Sequence, residues 1–247
     1  MMMDNNIRIL YLDETASTND VLRDVALSAP DEIVVAVADY QTAGRGQGGN
    51  AWESQRGKNL LFSLKMQPVA VPVTRQFLLS MAMALAIKKA LDVYADGFTL
   101  KWPNDIYWND CKISGTLIET SISGRGISSC IFGVGIDVNQ RHFLGGAPNP
   151  ISLSTVTGQE HDRRELLFAV LENFKYYNDM LAEHRYDEIV ALYQAAMYRR
   201  EGMHRFSDAG GNFSASIVRV EPNGRLVLCD SLGNERGYYF KEVRWEV

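Results

Sequence analysis

Two lysines, two asparagines and two aspartates crowd one stretch of the chain, Leu100-Lys101-Trp102-Pro103-Asn104-Asp105-Ile106-Tyr107-Trp108 followed by Asn109-Asp110-Cys111-Lys112. Cations set beside a carboxylate are what a site needs to hold an anion and move a proton next to it. Pro103 lacks an N–H and favours extended geometry at Trp102. Asn104-Asp105 and Asn109-Asp110 are turn formers, with a strand over 106–108 between them and another over 112–121. The two turns bring Lys101, Asn104, Asp105 and Lys112 within reach of one another. Lys112 stands at the mouth of its strand, and Gly115 lets a ligand approach the backbone. The same pattern also fits an ordinary hairpin with a solvated lysine, and this segment alone leaves both readings open.

A second stretch, from Gln41 through Gly44-Arg45-Gly46-Gln47 to Gly49 and Trp52, is glycine-rich. Its glycines formally match a dinucleotide fingerprint, but the helix that must follow is missing. No Walker lysine or kinase triplet is present either. Arg45 offers a fork for phosphate or carboxylate, and Trp52 a flat face for a base. Ordering such a loop costs conformational entropy, so it is expected to be mobile when free and to close around a ligand. A plain surface loop is the alternative. Ser17 and Thr18 open a helix at a spot that welcomes a polar group, although capping explains Ser17 equally well. Gly133 and Gly135, inside a strand, imply close approach of a ligand or another backbone.

The elements that must position these residues follow from periodicity. Strands are expected over 7–12, 33–38, 59–66 and 126–138, the second buried on both faces. A helix runs from Ser17 to near Pro30. The longest helix is expected over 73–94, and two more over 163–184 and 186–198. Residues 141–151 read as a Gly/Pro/Asn-rich loop. From about Glu201 short strands alternate with turns at Asp208-Ala209-Gly210-Gly211, Pro222-Asn223-Gly224 and Leu232-Gly233-Asn234, the pattern of a small antiparallel barrel. The domain reading is 1–200 for a catalytic domain and 201–247 for the barrel.

Composition narrows the classes. At 247 residues and 46% hydrophobic, the chain can bury a substantial core. A net charge of −5 argues against wholesale nucleic-acid binding. Three cysteines at unrelated spacings give neither a disulfide framework nor a zinc signature, which fits a reducing cytoplasm. The most apolar run, 77–87, is too short to span a bilayer, and the Met-Met-Met-Asp-Asn-Asn start has no basic region of a signal peptide. The scattered histidines have no partners at metal spacing, so no metal site is expected.

Taken together, Gly44-Arg45-Gly46 with its tryptophan, Lys101-Trp102-Pro103-Asn104-Asp105 with Lys112 and Gly115, and Gly133-Val134-Gly135-Ile136 make the chain resemble the biotin protein ligases. The resemblance extends from Ser17-Thr18-Asn19 through the C-terminal strands. It implies an α+β fold: a mixed β-sheet backed by helices, as in class II aminoacyl-tRNA synthetases, with a small SH3-like β-barrel. It implies ATP-dependent formation of biotinyl-5'-AMP and transfer of biotin to a lysine of a biotin carboxyl carrier domain, with Mg²⁺ accompanying the nucleotide. Lys112, Arg45 and Asp105 are the implied catalytic groups. Biotin contacts fall on Ser17, Thr18, Gln41, Gly44, Arg45, Lys112, Gly115 and Gly133. ATP contacts fall on Arg45, Gln47, Trp52, Asn104, Lys112 and Asp137.

Two positions depart from the family pattern: Gln47 stands where a second arginine is usual, and Asp137 where an asparagine is usual. Gln47 removes a cation from the loop, and Asp137 keeps acceptor oxygens while losing amide donors. Too few residues precede Glu14 for a helix-turn-helix, so a ligase without a repressor arm is expected. No nucleic acid and no membrane are expected as partners, and a homodimer is expected through a sheet edge over 126–138. A lipoate or octanoate protein ligase or transferase of the same architecture is the alternative enzyme, and a binding module with a decayed site the alternative of another class.

Overall fold

Runs of β-branched and apolar residues become strands here, and the polar turns between them set the order. The computed structural model describes residues 6–68, 70–124, 126–145 and 149–246. The Met-Met-Met-Asp-Asn start and residues 146–148 of the Gly/Pro/Asn-rich loop lie outside the described residues. The first part of the chain contributes β1 (Ile7–Leu12), α1 (Thr18–Arg23), β2 (Ile33–Ala38), β3 (Leu60–Met66), α2 (Phe77–Leu91) and β4 (Phe98–Lys101). Next come β5 (Asp105–Trp108), β6 (Cys111–Ser123), β7 (Gly126–Ile136), α3 (Leu153–Thr157), α4 (Arg163–Ala182) and α5 (Tyr186–Ala195). The C-terminal part adds β8 (His204–Asp208), β9 (Gly211–Val220), β10 (Leu226–Asp230), β11 (Glu235–Tyr238) and β12 (Arg244–Trp245).

Seven strands form one mixed sheet in the order β1-β2-β3-β7-β6-β5-β4. β1 and β2 are parallel and the remaining neighbours antiparallel. Helices α2 and α4 pack on one face, where Phe132 of β7 meets Phe174 of α4 edge to face. The short α1 lies over β2, β3 and β7 on the other face, with Leu22 buried against Val34, Ala36 and Ile131. The C-terminal strands form a second, antiparallel sheet in the order β11-β10-β9-β8-β12, which is how the expected barrel region is observed. It docks on the first through the Trp102 indole N–H, which donates to Gly224 O at 3.0 Å, and through Phe77 N–H, which donates to Pro222 O.

Several sequence expectations change. The helix expected over 73–94 begins at Phe77, because residues Val73–Arg75 wind into a 3₁₀ turn after Pro72. The longest helix is α4, N-capped by Asp162, whose carboxylate accepts from the N–H groups of Arg164 and Glu165. Helix α1 stops at Arg23 rather than near Pro30. The reason is Lys65, whose ammonium donates to the carbonyls of Leu22, Arg23 and Val25 at 2.9, 2.9 and 2.7 Å and so closes the helix end. The strand expected at a sheet edge, β7, is central instead. Over Cys130–Ile136 it is paired with β3 on one side and β6 on the other, so the homodimer contact proposed for it has no free edge there. Strand β4 and helix α3 were not expected at all. No described helix is long and apolar enough to cross a membrane.

Candidate active site

The glycine-rich segment folds across the α1 face of the sheet and, with the β4–β5 turn, encloses a cavity of about 240 Å³. Of the residues assigned from sequence, Ser17, Thr18, Gln41, Arg45, Gln47, Trp52, Asn104, Asp105, Lys112, Gly115, Gly133 and Asp137 line it. Gly44 sits just behind, where any Cβ would fall under 3.0 Å from Trp52 O.

Lys112 is positioned by its backbone: its N–H donates to Asn149 O, and its C=O accepts from Ile151 N–H. That double clasp fixes the strand end and aims the ammonium at Asp105 Oδ1, 2.6 Å away. Both side chains are largely covered, at 18% and 21% exposure, so the pair is shielded from solvent but still reachable from the cavity. Asn104 pins the turn to β6, its amide donating to Thr116 O while its own carbonyl accepts from Thr116 N–H. The Trp102–Pro103 peptide is cis. Lys101 does not join the cavity. Its ammonium instead donates to the Tyr107 hydroxyl at 2.9 Å and lies over the Tyr107 ring. Burial holds its pKa below the usual lysine range, opposed by Asp105 and reinforced by Lys112 and Arg199.

The start of α1 is held by side chains. Ser17 occupies the N-cap position but makes no side-chain capping bond. Gln41 does the capping: its Oε1 accepts from Thr18 N–H at 2.8 Å and from the Thr18 hydroxyl at 3.1 Å. Ser63, on β3, donates toward Thr18 Oγ1 and Asn19 Oδ1. The glycines of β6 and β7 turn out to make room for protein. A Cβ on Gly133 would fall under 3.0 Å from the Asn19 amide, and one on Gly135 would strike the Trp52 indole. The indole thus lies on a floor of Gly115 and Gly135, with the Lys112 ammonium 5.8 Å from its ring centre.

The loop expected to be free without ligand is anchored along its length. Thr42 and Ala43 donate to Thr15 O and Ala16 O, Trp52 N–H to Gly44 O, and Gly57 N–H to Asp39 O. Arg45 pairs with Asp20 at 2.7 Å and Glu119 at 3.6 Å. Gln55 N–H donates to Gln140 Oε1, and Glu53 accepts from Gln140 Nε2 and Leu144 N–H. Phe240 and Lys241, in the turn between β11 and β12, reach Gly48, whose φ of 71° suits a residue without a side chain. Composition concealed these anchors because they are backbone groups and long polar side chains from distant segments.

Polar satisfaction separates the cavity from the rest of the molecule. Among the described residues five buried side-chain N or O atoms have no partner, and three of them, Asn19 Nδ2, Gln47 Oε1 and Trp52 Nε1, belong to residues lining this cavity. Unpaired buried polar atoms are expensive, so their clustering marks a place built for a ligand. Asp137, 4% exposed, accepts from Asn59 Nδ2 at 2.8 Å, and burial pushes its carboxyl well above the ordinary carboxylate range despite Lys112. Asn59, Ser63, Gln140, Glu53 and Phe240 were not singled out from sequence. The available signal was polar side chains set within apolar strands, such as Ser63 and Lys65 in Leu60-Leu61-Phe62-Ser63-Leu64-Lys65-Met66. Among the described residues no group of three or more His, Cys, Asp or Glu could hold a metal ion.

Comparison with known proteins adds names to this geometry. Residues 11–137 match the model of the Biotin/lipoate A/B protein ligase family. The biotin--[acetyl-CoA-carboxylase] ligase of Mycobacterium tuberculosis is 34% identical over 221 residues, covering 87% of this chain and 80% of that protein. The bifunctional ligase/repressor BirA of Bacillus subtilis is 30% identical over 237 residues, covering 93% of this chain and 72% of that protein. Among solved structures, biotin protein ligase from Aquifex aeolicus in complex with biotin and ATP superposes with a TM-score of 0.81 at 27% identity, covering 97% of this chain and 99% of that one.

Proposed function

The chain belongs to the Biotin/lipoate A/B protein ligase family, and from that premise we propose that it is a biotin protein ligase. It joins biotin to AMP and then transfers biotin to a lysine of a biotin carboxyl carrier domain. The observation that carries this reading is the single cavity in which Lys112, Arg45, Trp52 and the glycine floor meet. Relatives named for biotin ligation, including the Aquifex aeolicus enzyme with biotin and ATP, support it over lipoate or octanoate transfer.

In the first step a biotin carboxylate oxygen attacks the α-phosphorus of ATP, and the bond to pyrophosphate breaks. Two anions must approach, and Lys112 and Arg45 lower that barrier by neutralising charge where it grows. Arg45 is free to do so because its partners are partly exposed surface carboxylates, and such pairs contribute only about 0.2–1 kcal/mol. Mg²⁺ enters with the nucleotide as substrate, bound by its phosphates. The glycine loop, tied to Gln140 and, through Gly48, to Lys241 of the β11–β12 turn, keeps water from the mixed anhydride. In the second step the neutral amine of the acceptor lysine attacks the acyl carbon, AMP leaves, and Asp105 beside Lys112 orients the amine or takes its proton. The chain's net charge of −5 and its unpaired thiols suit a protein-modifying enzyme of the cytoplasm that does not act on nucleic acid.

The test is to supply ATP with biotin, lipoate or octanoate in turn and follow pyrophosphate release. Release that depends on biotin alone is expected, and release supported equally by lipoate would move the protein to the other branch of the family.

A further inference from the structure

Asp137 follows the last residue of β7 and lines the inner part of the cavity, almost wholly buried. Its surroundings assign its two oxygens different roles. Asn59 Oδ1 accepts from Val138 N–H at 3.1 Å, which fixes the orientation of the Asn59 amide. The Nδ2 hydrogens are then directed at Gln140 Oε1 and Asp137 Oδ1, each at 2.8 Å. Oδ1 is therefore an acceptor, and Oδ2 is left without a protein partner among the described residues.

No cation pairs with this carboxyl among the described residues. Lys112, on β6, is committed to Asp105 at 2.6 Å, and its charge offsets the burial of Asp137 only in part. Arg163, on α4, reaches the Asn59 backbone carbonyl and Asp39. The loop contributes a second acid, Glu53, which raises the cost of a charge at Asp137 and is itself held by Gln140 and Leu144. A buried carboxylate without a cation takes up a proton rather than remain charged. With Oδ1 occupied as an acceptor, the proton belongs on Oδ2.

We propose that Asp137 serves the nucleotide as a neutral carboxylic acid, its Oδ2–H donating to an unprotonated ring nitrogen of the base. This rests on reading the cavity as the ATP site. An ionised carboxylate would repel the lone pair of such a nitrogen, whereas the acid supplies the donor that an amide would otherwise give. The Trp52 ring on the adjoining Gly135 floor gives the base a face to stack on, two positions from Asp137 along the chain. Nucleotide binding then requires the protonated form, and affinity falls about tenfold per pH unit once the acid titrates.

Infrared difference spectra of the unliganded protein, wild type minus Asp137→Asn at neutral pH, should show the carbonyl band of one protonated carboxyl. Calorimetry with ATP from mildly acidic to alkaline pH should show wild-type affinity falling with pH, while Asp137→Asn, with a fixed donor, loses that dependence. Absence of the band, or one pH profile shared by both proteins, would overturn the proposal. A band present with no ATP binding at any pH would overturn the reading of the cavity, and with it the donor role, while leaving the neutral acid in place.

Discussion

Strand β3 sends Leu60, Phe62, Leu64 and Met66 into the apolar core shared with α2 and α4, and Ser63 and Lys65 to the opposite face under α1. β7 divides the same way, with Cys130, Phe132, Val134 and Ile136 in that core and Gly133 and Gly135 beneath Asn19 and Trp52. The helix-packed face is held by area: burying a large apolar side chain stabilises by about 1.5–3 kcal/mol, and α2 hides nearly all of its side chains. The cavity face gives up that area for glycine floors, hydrogen-bonded polar side chains and atoms left without partners. Stability comes from one face and chemistry from the other, and substitutions on each should fail in different ways.

The largest effect should come from the packed face. Phe132→Ala removes a ring that meets Phe174 at 5.2 Å and leaves a cavity, for an expected loss of about 3–5 kcal/mol in unfolding free energy. Denaturant titration checks this, and turnover per folded molecule should stay close to wild type. Lys112→Ala reverses the pattern: pyrophosphate release should fall by about 10²–10³-fold with little change in the denaturation midpoint. Comparable losses of stability in the two variants would erase the distinction between the faces. Gly133→Ala lies between them, since its methyl must displace the Asn19 amide. We expect about 1–3 kcal/mol of lost stability from the overlap, together with weakened biotin binding, measured by calorimetry.

The smallest effect sharpens the comparison through pH. An unfolded aspartate ionises near pH 3.9, while burial raises the Asp137 carboxyl well above that in the folded protein. Between those two values the native state holds the extra proton, so its stability declines as pH rises through that window. Asp137→Asn has no proton to lose. Its melting temperature should therefore exceed that of the wild type at alkaline pH, with the gap narrowing toward acid.

The packed face was the more legible in the sequence. Strands β1 and β2 match the expected 7–12 and 33–38, because β-branched and apolar residues dominate both segments. β4 escaped because Phe98-Thr99-Leu100-Lys101 is short and follows a turn at Gly97, and it is defined by pairing with β5 rather than by propensity. The barrel-region turns were visible because each carries glycine with aspartate or asparagine. On the cavity face, residue identities were legible through motif spacing, but their partnerships were not. Gln41 rather than Ser17 caps α1, and Lys101 bonds Tyr107 beside the pair that Lys112 and Asp105 form. The glycine loop's anchors come from residues as distant as Gln140 and Lys241. Contacts between residues so far apart in sequence leave no local pattern.

One measurement reaches the central claim, that the cavity face makes and transfers an activated biotin. The protein is incubated with ATP and biotin, the bound small molecule is identified by mass spectrometry, and a biotin carboxyl carrier domain is then added without further ATP. We expect biotinyl-5'-AMP on the protein, followed by a single biotin in amide linkage to one carrier lysine, with Lys112→Ala forming both far more slowly. No adenylate from biotin, or undiminished adenylate in Lys112→Ala, would contradict the account.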